Sequence, residues 1–301
     1  MSMMQTVAAP RIRRARTADE KIEFRDSLPF WGVHAACLLA FWTGVSWTAL
    51  ITCVLAYYIR MFGVTAVYHR YFSHRTYKTS RPVQFALALL GTSAVQKGPL
   101  WWAAHHRHHH RHADTEKDIH PPTVMGFWWS HVGWILANKY MATKMDAIRD
   151  FAKFPELRLL NRYHMLPPVA LGFGMFGFGW MLHHYAPSLH TSGAQMFIWG
   201  FCISTTLLYH GTFTINSLAH VFGRRRFDTK DTSRNSFLLS LITMGEGWHN
   251  NHHRFPASER QGFYWWEIDL THYILKMMSW THLIWDLREP PQYIYAEAEA
   301  A

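Results

Sequence analysis

Cysteine is scarce in this 301-residue sequence, which contains only Cys37, Cys53 and Cys202 and no C-x-x-C pair. Zinc ribbons and iron–sulfur clusters need several closely spaced thiolate ligands, so the sequence argues against both classes of site. Each of the three residues lies inside an apolar run, where a free cysteine behaves as a small hydrophobic residue. We therefore expect all three to be packing residues.

Charged residues are absent from a long central stretch, because no Asp, Glu, Lys or Arg occurs between Arg162 and Arg224. Two apolar runs, each close to the ~20 residues that cross a hydrocarbon core, fill this stretch and flank the polar PSLHTS. Two earlier apolar runs flank the turn-like TGVS and contain Arg60 as their only formal charge. The four runs predict two helical hairpins. The predicted spanning helices lie at about 30–44, 46–67, 165–186 and 193–217.

Lysine and arginine are missing from both predicted hairpin tips, whereas the N-terminal segment is rich in them. The positive-inside rule therefore places both termini in the cytoplasm, together with the polar segments 69–162 and 218–287. All of the histidine clusters described below fall in or beside these two segments. The leading basic residues are Arg11, Arg13, Arg14, Arg16 and Lys21.

The domain organisation follows from the same pattern. No short apolar run with a small-residue cleavage site adjoins the basic start, so we interpret residues 1–28 as a cytosolic tail and not as a secretory signal. Residues 29–287 then form one membrane domain, with its cytosolic cap made of 69–162 and 218–287, and residues 288–301 form a C-terminal tail. The expected location is a bacterial inner membrane, crossed several times.

The sequence is basic, with a formal net charge of +10 and a pI near 9.6. Such a charge suits nucleic acid, an anionic lipid leaflet or a phosphate-bearing substrate. No basic stripe with groups suited to reading bases occurs, so we expect no nucleic-acid partner. Aromatic residues make up 16% of the chain, a content that suits the membrane–water interface. Membrane lipids are therefore the expected surroundings.

Histidine is abundant, with 22 residues in the chain, and the spacing within its clusters is regular. In the second and fourth clusters the spacing i, i+3, i+4 places three imidazoles on one helical face. His69 and His74 are five residues apart, about 140° around an α-helix, so an α-helix would not put them on one face. The clusters are HRYFSH (His69, His74), HRHHH (His106, His109, His110), NSLAH (Asn216, His220) and HNNHH (His249, His252, His253).

Nine histidines in these clusters are too many for one ion, because a closed zinc site takes four ligands. Two ions with four or five ligands each would use all nine. Imidazole binds iron, zinc, copper and nickel, so the ligand type does not name the metal. Three neighbouring histidines, His105, His108 and His112, fall off the face of the second cluster, and we expect them to support the ligands or to be solvated. His34 and His210, in apolar runs, are expected to be packing or interfacial residues.

The four motifs, in this order around two apolar hairpins, resemble the membrane fatty-acyl desaturases of the stearoyl-CoA desaturase type. The resemblance runs from about Pro29 to Leu287 and includes SHVGW at Ser130 to Trp134 and the last motif in its longer form, GEGWHNNHH. It implies an all-α integral membrane protein, shaped like a mushroom, with four transmembrane helices. A cytosolic helical cap would hold a histidine-rich di-iron site.

The resemblance also implies which residues bind each of the two iron ions. The first iron would be held by His69, His74, His106, His110 and His252. The second would be held by His109, His220, His249 and His253, with Asn216 reaching it through a water. The groups expected to orient the ligand rings from outside are Asp118, His120 and Glu246.

The activity implied by the resemblance is oxygen-dependent desaturation of a saturated long-chain acyl group, at the ninth carbon. Iron and O2 would carry the oxidation, because side-chain acids and bases cannot remove hydrogen from unactivated methylene groups. No electron-carrying motif occurs in the sequence, so a separate donor is expected: a ferredoxin, a rubredoxin or a cytochrome, with its reductase. The acyl chain would lie in an apolar tunnel between the spanning helices. Its expected lining includes Tyr57, Met61 and Phe213.

The sequence does not decide whether the acyl group is carried by coenzyme A or by a lipid. In the acyl-CoA members of the family an Arg–Asp pair just before the second motif contacts the coenzyme, and here Ala104 and His105 occupy those positions.

Two other functions are compatible with histidine clusters in a membrane protein. A related di-iron hydroxylase of fatty acids or alkanes would give an alcohol, whereas a desaturase gives an alkene. A histidine-rich metal transporter would place ionisable residues along a path through the bilayer midplane. The second hairpin contains no Asp, Glu, Lys or Arg and has histidine as its one basic residue type, which argues against transport.

Overall fold

The computed structural model describes residues 14–300, which form a mostly helical fold. Arg11 and Arg13 of the predicted basic tail lie outside the described residues. The α-helices are α1 (Leu28–Thr43, with one 3₁₀ turn), α2 (Trp47–Ser73), α3 (Arg81–Thr92), α4 (Pro99–His112), α5 (Pro122–Met125), α6 (Arg149–Ala152), α7 (Pro155–Arg162), α8 (Leu166–Tyr185), α9 (193–217), α10 (Phe237–Ile242), α11 (His249–Arg254), α12 (Leu270–Trp280) and α13 (Gln292–Ala300).

Short 3₁₀ and π turns and one small sheet complete the fold. The strands Lys78–Thr79 and Ile284–Trp285 pair antiparallel, with Lys78 opposite Trp285, and tie the segment just after α2 to the C-terminal part of the chain. The short turns lie at Ala18–Glu20, Trp129–Gly133, Trp134–Leu136, Asn138–Tyr140, Met145–Ile148, Pro187–Leu189 and Leu218–His220.

A tight turn joins α1 to α2 at the predicted position. α1 ends at Gly44, whose φ of 67° lies in the left-handed region that glycine adopts without a Cβ penalty. Ser46 then caps α2, because its side chain accepts a hydrogen bond from the Ala49 N–H at 3.1 Å. The residues of TGVS therefore stop one helix and start the next within four positions.

Membrane-spanning potential is clearest for α2, which alone is long and apolar enough to cross a bilayer among the described helices. α7 and α8 meet the same criterion together, although the chain bends by 66° between them. α1 is apolar but shorter than the ~20 residues of a full span. Helices are thus present at all four predicted positions, whereas length and composition support one span, or two if the bent pair counts as one.

The second half of α2 is a π-helix from Gly63 to Ser73, so this helix continues well past the predicted end at residue 67. In a π-helix each N–H bonds to the carbonyl five residues earlier, so residues five apart are joined across one hydrogen-bonded turn. The His74 N–H donates to the His69 carbonyl at 3.2 Å and so closes such a turn. The five-residue spacing, which does not fit an α-helical face, fits this turn.

The one charge in the first hairpin is buried in the interface between α2 and α9. Arg60 is 2% exposed. Its guanidinium donates to the Thr205 hydroxyl at 2.7 Å and to the Ser204 hydroxyl at 2.5 Å. A charge within an apolar helix is costly unless it faces a neighbouring helix and finds polar partners there, as Arg60 does.

A buried ionic cluster fixes the cap to the π-helical end of α2. Arg70 is 1% exposed, and its Nη2 atom lies 2.9 Å from Asp269 and 3.1 Å from Glu246. Its Nη1 atom donates to the Glu259 carbonyl at 2.8 Å. Because these partners come from three separate parts of the C-terminal segment, the single guanidinium holds that segment against α2.

The segments at both ends of the described chain pack on the cap. Glu20 is fully buried and accepts hydrogen bonds from Arg14 at 2.6 Å and from Tyr140 at 3.2 Å. At the other end Ile294 of α13 is buried in a cluster with Phe227 and Phe263. The division into tails at 1–28 and 288–301 stays a prediction.

Candidate metal centre

Two groups of histidines converge in the cap, each with ligand-capable nitrogens within 4.8 Å of one another. They come from the end of α2, from α4, from the turn Leu218–His220 and from α11. The groups coincide with the two sets that the resemblance implies; their role as ligands stays a prediction. The first group is His69, His74, His106, His110 and His252, and the second group is His109, His220, His249 and His253.

α4 lies between the two groups and contributes to both. Its spacing i, i+3, i+4 sends His106 and His110 to the first group and His109 to the second. Ring centroids of His106 and His110 are 4.6 Å apart, and those of His109 and His253 are 5.4 Å apart. The helical geometry of one short motif therefore sets the distance between the two groups.

Burial keeps most of these imidazoles uncharged. It lowers the pKa of His74, His106, His110, His249 and His252 well below the ordinary value of 6.5. Burial also lowers the pKa of His253 to about 4, although Asp231 opposes the shift. A neutral imidazole presents a lone pair on one nitrogen, which is the form that binds a metal ion.

The nitrogen contacts inside the first group are the kind that a cation would satisfy. Nε2 of His252 lies 3.0 Å from Nε2 of His69 and 2.9 Å from Nε2 of His110. His69 Nδ1 faces the Glu246 carboxylate, so its proton sits there and its Nε2 carries a lone pair. In the second group His253 Nε2 is buried without a hydrogen-bond partner among the described residues. Lone pairs that converge in this way fit bound metal ions.

Carboxylates hold the outer nitrogens of four rings. Three of these contacts are His109 Nδ1 to Asp118 at 3.0 Å, His220 Nδ1 to Asp114 at 3.0 Å and His253 Nδ1 to Asp231 at 2.9 Å. The fourth is His69 to Glu246. A carboxylate on Nδ1–H fixes the tautomer and the ring orientation and makes Nε2 a stronger ligand. Each carboxylate contact thereby leaves the Nε2 lone pair of its histidine directed toward the other histidines of the group.

Asp118 and His109 each shift the pKa of the other and so favour each other's charged form. Burial opposes ionisation of Asp118, but His109 and His120 together hold its pKa well below the ordinary value. Burial likewise lowers the pKa of His109, but Asp118, with Asp114 and Asp231, more than offsets this, so that the pKa of His109 is raised. The pair is thus electrostatically coupled inside the protein.

Of the residues expected to orient the ligands, Asp118 and Glu246 contact ligand nitrogens directly, whereas His120 does not. His120 stacks on the His109 ring with centroids 4.2 Å apart, and its Nδ1 has no described partner. Sequence reasoning missed Asp114 and Asp231. Asp114 follows the last histidine of the second motif by four residues, which was an available signal; Asp231 lies in a loop with no such signal.

Asn216 lies near His69 and His106 of the first group, and no hydrogen bond joins its side chain to a histidine among the described residues. Its side chain lines two adjoining cavities, together with His106 in both, and its backbone carbonyl accepts from Ser130 at 3.0 Å. The predicted contact through a water stays a prediction.

The histidines predicted to lie off the ligand face are outside both groups, for different reasons. His105 is 1% exposed, so the expectation that it is solvated is wrong for this residue. It packs against Trp101 and its Nδ1 bonds the Trp101 carbonyl at 2.8 Å. His108 contacts the Lys117 carbonyl at 2.9 Å, and the His112 ring lies beside the His108 ring, tilted, with centroids 4.7 Å apart.

Two adjoining cavities reach the first histidine group. The larger, of about 400 Å³, is lined by Trp101, His106, His120, Tyr209 and Phe213, among others. The smaller, of about 40 Å³, is lined by Met61, His69, His106 and Glu246, among others. Both cavities share Trp102, His106, Thr212 and Asn216. An elongated apolar molecule in the larger cavity would therefore pass the histidines and point toward Met61.

The predicted tunnel residues differ in their placement. Phe213 lines the larger cavity and Met61 the smaller one. Tyr57 lines neither, because its hydroxyl donates to the Ile242 carbonyl at 2.8 Å and the ring is held next to Gly211. Met61 also approaches Gly211, so Tyr57 supports the wall to which Met61 belongs.

Three further histidines, His34, His210 and His131, form a hydrogen-bonded row. The sequence did not predict this row and indicated packing or interfacial roles for His34 and His210. His34 Nε2 lies 3.1 Å from His210 Nε2, and His210 Nδ1 lies 3.0 Å from His131 Nε2. The row ends at the Phe30 carbonyl, 2.7 Å from His34 Nδ1, and at the Ser217 hydroxyl, 2.9 Å from His131 Nδ1. It joins α1, α9 and the SHVGW segment.

Asp231→Asn is expected to weaken metal binding roughly 10–100-fold, the usual cost of losing a partner that orients a metal-bound histidine. The amide keeps the shape of the side chain but removes the charge that faces His253 Nδ1. Asp228→Asn is the matched control, because Asp228 is fully solvent-exposed and, among the described residues, forms an ion pair with Arg225 alone, at 3.5 Å. Competition with a chelator measures the affinities; equal affinities for both variants would contradict the orienting role.

Comparison with known proteins agrees with these features. A family model described as fatty acid desaturase matches residues 45–282. The chain is 34% identical over 268 residues to the sn-1 stearoyl-lipid 9-desaturase of Anabaena variabilis, covering 88% of this chain and 93% of that protein. It is 35% identical over 266 residues to Delta-9 acyl-lipid desaturase 1 of Arabidopsis thaliana, covering 86% and 81%. It is also 35% identical over 268 residues to the Acyl-CoA C20 Delta5-desaturase of Anemone leveillei, covering 87% and 80%.

Proposed function

The chain belongs to the fatty acid desaturase family, and from that premise we propose that it inserts a double bond at the ninth carbon of a saturated long-chain acyl group, with O2 as co-substrate. The observation that carries the proposal is the cavity of about 400 Å³ that reaches His106 of the first histidine group and the neighbouring His120. An acyl chain placed there would expose one section of its length to His106. Two relatives named above act at position 9 and one at position 5, and the lipid-acting relatives favour position 9.

The metal is proposed to be iron, two ions per chain, bound by the nine histidines with Asn216 reaching the second ion through a water. When bound, such a pair supplies an oxidant able to remove hydrogen from an unactivated methylene group. The protein's part is to hold the rings and the substrate. Four carboxylates hold the outer ring nitrogens, and Trp102 and Thr212 form part of the wall where the two cavities join.

Positioning of the chain sets where the double bond forms. The aromatic and aliphatic side chains of the cavity wall would contact the acyl chain, and the limited volume of the cavity restricts the path that the chain can take. A fixed distance between the polar mouth, where Asp26 and Lys97 lie, and His106 then selects one carbon. The acyl group is carried by coenzyme A or by a lipid.

The electrons come from a separate redox protein with its reductase, in this proposal a ferredoxin, rubredoxin or cytochrome. The described residues contain three isolated cysteines and no cluster of thiols that could carry electrons. The net charge of +10 favours an acidic donor, because complementary charge steers such encounters.

The proposed setting is a bilayer crossed by α1, α2, α8 and α9, with the metal centre and the termini on the cytoplasmic side of a bacterial inner membrane. Large apolar side chains cover the outer faces of these helices; Phe41, Trp47, Phe173 and Tyr185 are each at least 75% exposed. Apolar surface of this extent in contact with water would promote aggregation, whereas lipid covers it.

The proposal is tested with purified protein reconstituted with iron, a reductase, a donor and saturated acyl substrates. The expected result is two irons per chain and an alkene at the ninth carbon, formed only when the donor is present. An alcohol would instead identify a hydroxylase. No product, together with metal movement across vesicles, would identify a transporter.

Met61→Ala is expected to shift substrate preference from chains near sixteen carbons toward longer ones, without moving the double bond. Met61 is 1% exposed and lines the small cavity beyond the histidines, where the end of a chain would lie. One methylene in a filled apolar pocket changes discrimination by roughly 10–200-fold. Product lengths are read by gas chromatography.

The control for Met61→Ala is Ile59→Ala, two residues away on the outer face of α2 and 55% exposed. It removes a similar apolar volume outside both cavities and is expected to leave chain length unchanged. Identical product profiles for the two variants would show that Met61 does not limit the chain.

A further inference from the structure

A long apolar groove lies on the outside of the spanning helices. It has a volume of about 650 Å³ and lies between α1, α8 and α9. Every lining residue is apolar or a glycine or cysteine; those that shape its length include Gly32 and Val33 of α1, Val169 and Phe173 of α8, and Phe197 of α9. Such a surface has no group to recognise a polar ligand, and it suits a hydrocarbon chain.

The groove adjoins the cavity that leads to the first histidine group. Pro29, Val95 and Met165 line both spaces, so the two lie side by side at these residues. From there the cavity runs inward to His106 and Asn216, and the groove runs outward along α8. A molecule with two chains can therefore occupy both spaces from one point.

The lining becomes polar near this junction, on the cavity side only. Asp26, Lys97 and His164 line the cavity and do not line the groove. The Lys97 ammonium lies 5.2 Å from the centre of the Trp101 ring and pairs with no carboxylate among the described residues. Ester and phosphate oxygens of a lipid would find hydrogen-bond donors here.

The length of the groove matches one leaflet. Along α8 it runs from Met165 to Phe176. At the helical rise of 1.5 Å per residue this span is about 17 Å. Half of a ~30 Å hydrocarbon core is about 15 Å. An acyl chain anchored at the junction would thus follow the groove to about the bilayer midplane.

We propose that the substrate is a two-chain membrane glycerolipid, with one acyl chain in the cavity beside the histidines and the other in the groove. The glycerol ester region lies at the junction of Pro29, Val95 and Met165, and the lipid enters sideways from the bilayer. This inference rests on the proposed desaturase function and names the carrier that the function leaves open. A single-chain thioester would use the cavity alone.

The test uses Gly32→Phe, which places a ring in the groove. A Cβ on Gly32 meets no atom within 4 Å, so the substitution fills space without a clash. Gly177→Phe is the matched control, because Gly177 also faces open space, on α8, and does not line the groove. Both proteins are assayed with donor and reductase on vesicles of saturated phosphatidylglycerol, on saturated lysophosphatidylglycerol and on a saturated acyl-CoA.

The expected result is at least tenfold slower desaturation of the two-chain lipid by Gly32→Phe, with lysophosphatidylglycerol desaturated within about twofold of the unmodified rate. Gly177→Phe should match the unmodified protein on both. The inference is overturned if the two variants behave alike on the two-chain lipid, or if Gly32→Phe loses the same factor on both lipids.

A second variant and the substrate range of the unmodified protein separate failure of this inference from failure of the proposed function. Val169→Trp narrows the groove from α8 at a side chain that is already 46% exposed, so it tests the same space if Gly32→Phe fails to fold. It is expected to repeat the selective loss on the two-chain lipid, and equal rates on both lipids would overturn the inference.

Unmodified protein that desaturates acyl-CoA but no lipid would overturn this inference alone. Unmodified protein that desaturates none of the three substrates would overturn the proposed function.

Discussion

His109→Ala is expected to lower bound iron and desaturation at least about 100-fold, whereas His108→Ala leaves both within about twofold of the unmodified protein. His109 is 2% exposed and belongs to the second histidine group. Its loss opens a coordination position and leaves the Asp118 carboxylate, 3.0 Å from its Nδ1, buried without its partner. Losing even an outer partner of a metal-bound histidine costs 10–100-fold, so losing the ligand costs at least as much.

The neighbouring His108 is a close control because it has the same side chain on the same helix. Its Nε2 contacts the Lys117 carbonyl at 2.9 Å, away from both groups. Iron per chain is measured by elemental analysis and activity by product formation. Comparable losses in the two variants would contradict the division of α4 into a ligand face and an outer face.

Arg70→Met is expected to destabilise the protein by about 3–5 kcal/mol, the usual cost of removing one partner from a buried ion pair. The side chain of Arg70 is 1% exposed, and methionine fills part of its volume without its charge. Asp269 and Glu246 would then remain buried without the cation that faces them. Because Glu246 also contacts His69, iron content should fall as well.

The control is Arg81→Met, which removes an arginine from an exposed pair with Glu156 and should hardly change stability. Denaturant unfolding in detergent, followed by circular dichroism, gives the difference. If both variants unfold at the same denaturant concentration, the Arg70 cluster does not hold the cap to α2.

The sequence predicts local features of the site better than distant ones. The i, i+3, i+4 spacing around His109 implies a helical face, and α4 supplies it. The i, i+5 spacing of His69 and His74 had no explanation, because the π-helix depends on packing of α2 against α3 and the cap. There Gly63 and Gly91 are so close that a Cβ on Gly63 would lie 3.0 Å from the Gly91 backbone.

Contacts between distant parts of the chain were the least predictable. Asp231 reaches His253 from a loop 22 residues earlier, and nothing in the spacing marks it. The two groups of ligands were expected through a family resemblance and not through periodicity, since periodicity cannot say which helices meet. The hairpins were predictable as apolar runs, but the short length of α1 and the 66° bend before α8 depend on the packing of the folded chain.

The row of His34, His210 and His131 has one more hydrogen-bonding contact than it has protons when all three rings are neutral. Three neutral imidazoles supply one N–H each and Ser217 supplies one O–H, which makes four protons. The row has five contacts to fill: Phe30 carbonyl to His34, His34 to His210, His210 to His131, His131 to Ser217, and Ser217 to the Phe213 carbonyl at 2.9 Å. A neutral row therefore leaves one contact without a hydrogen bond, and a row with all five bonds carries one positive charge.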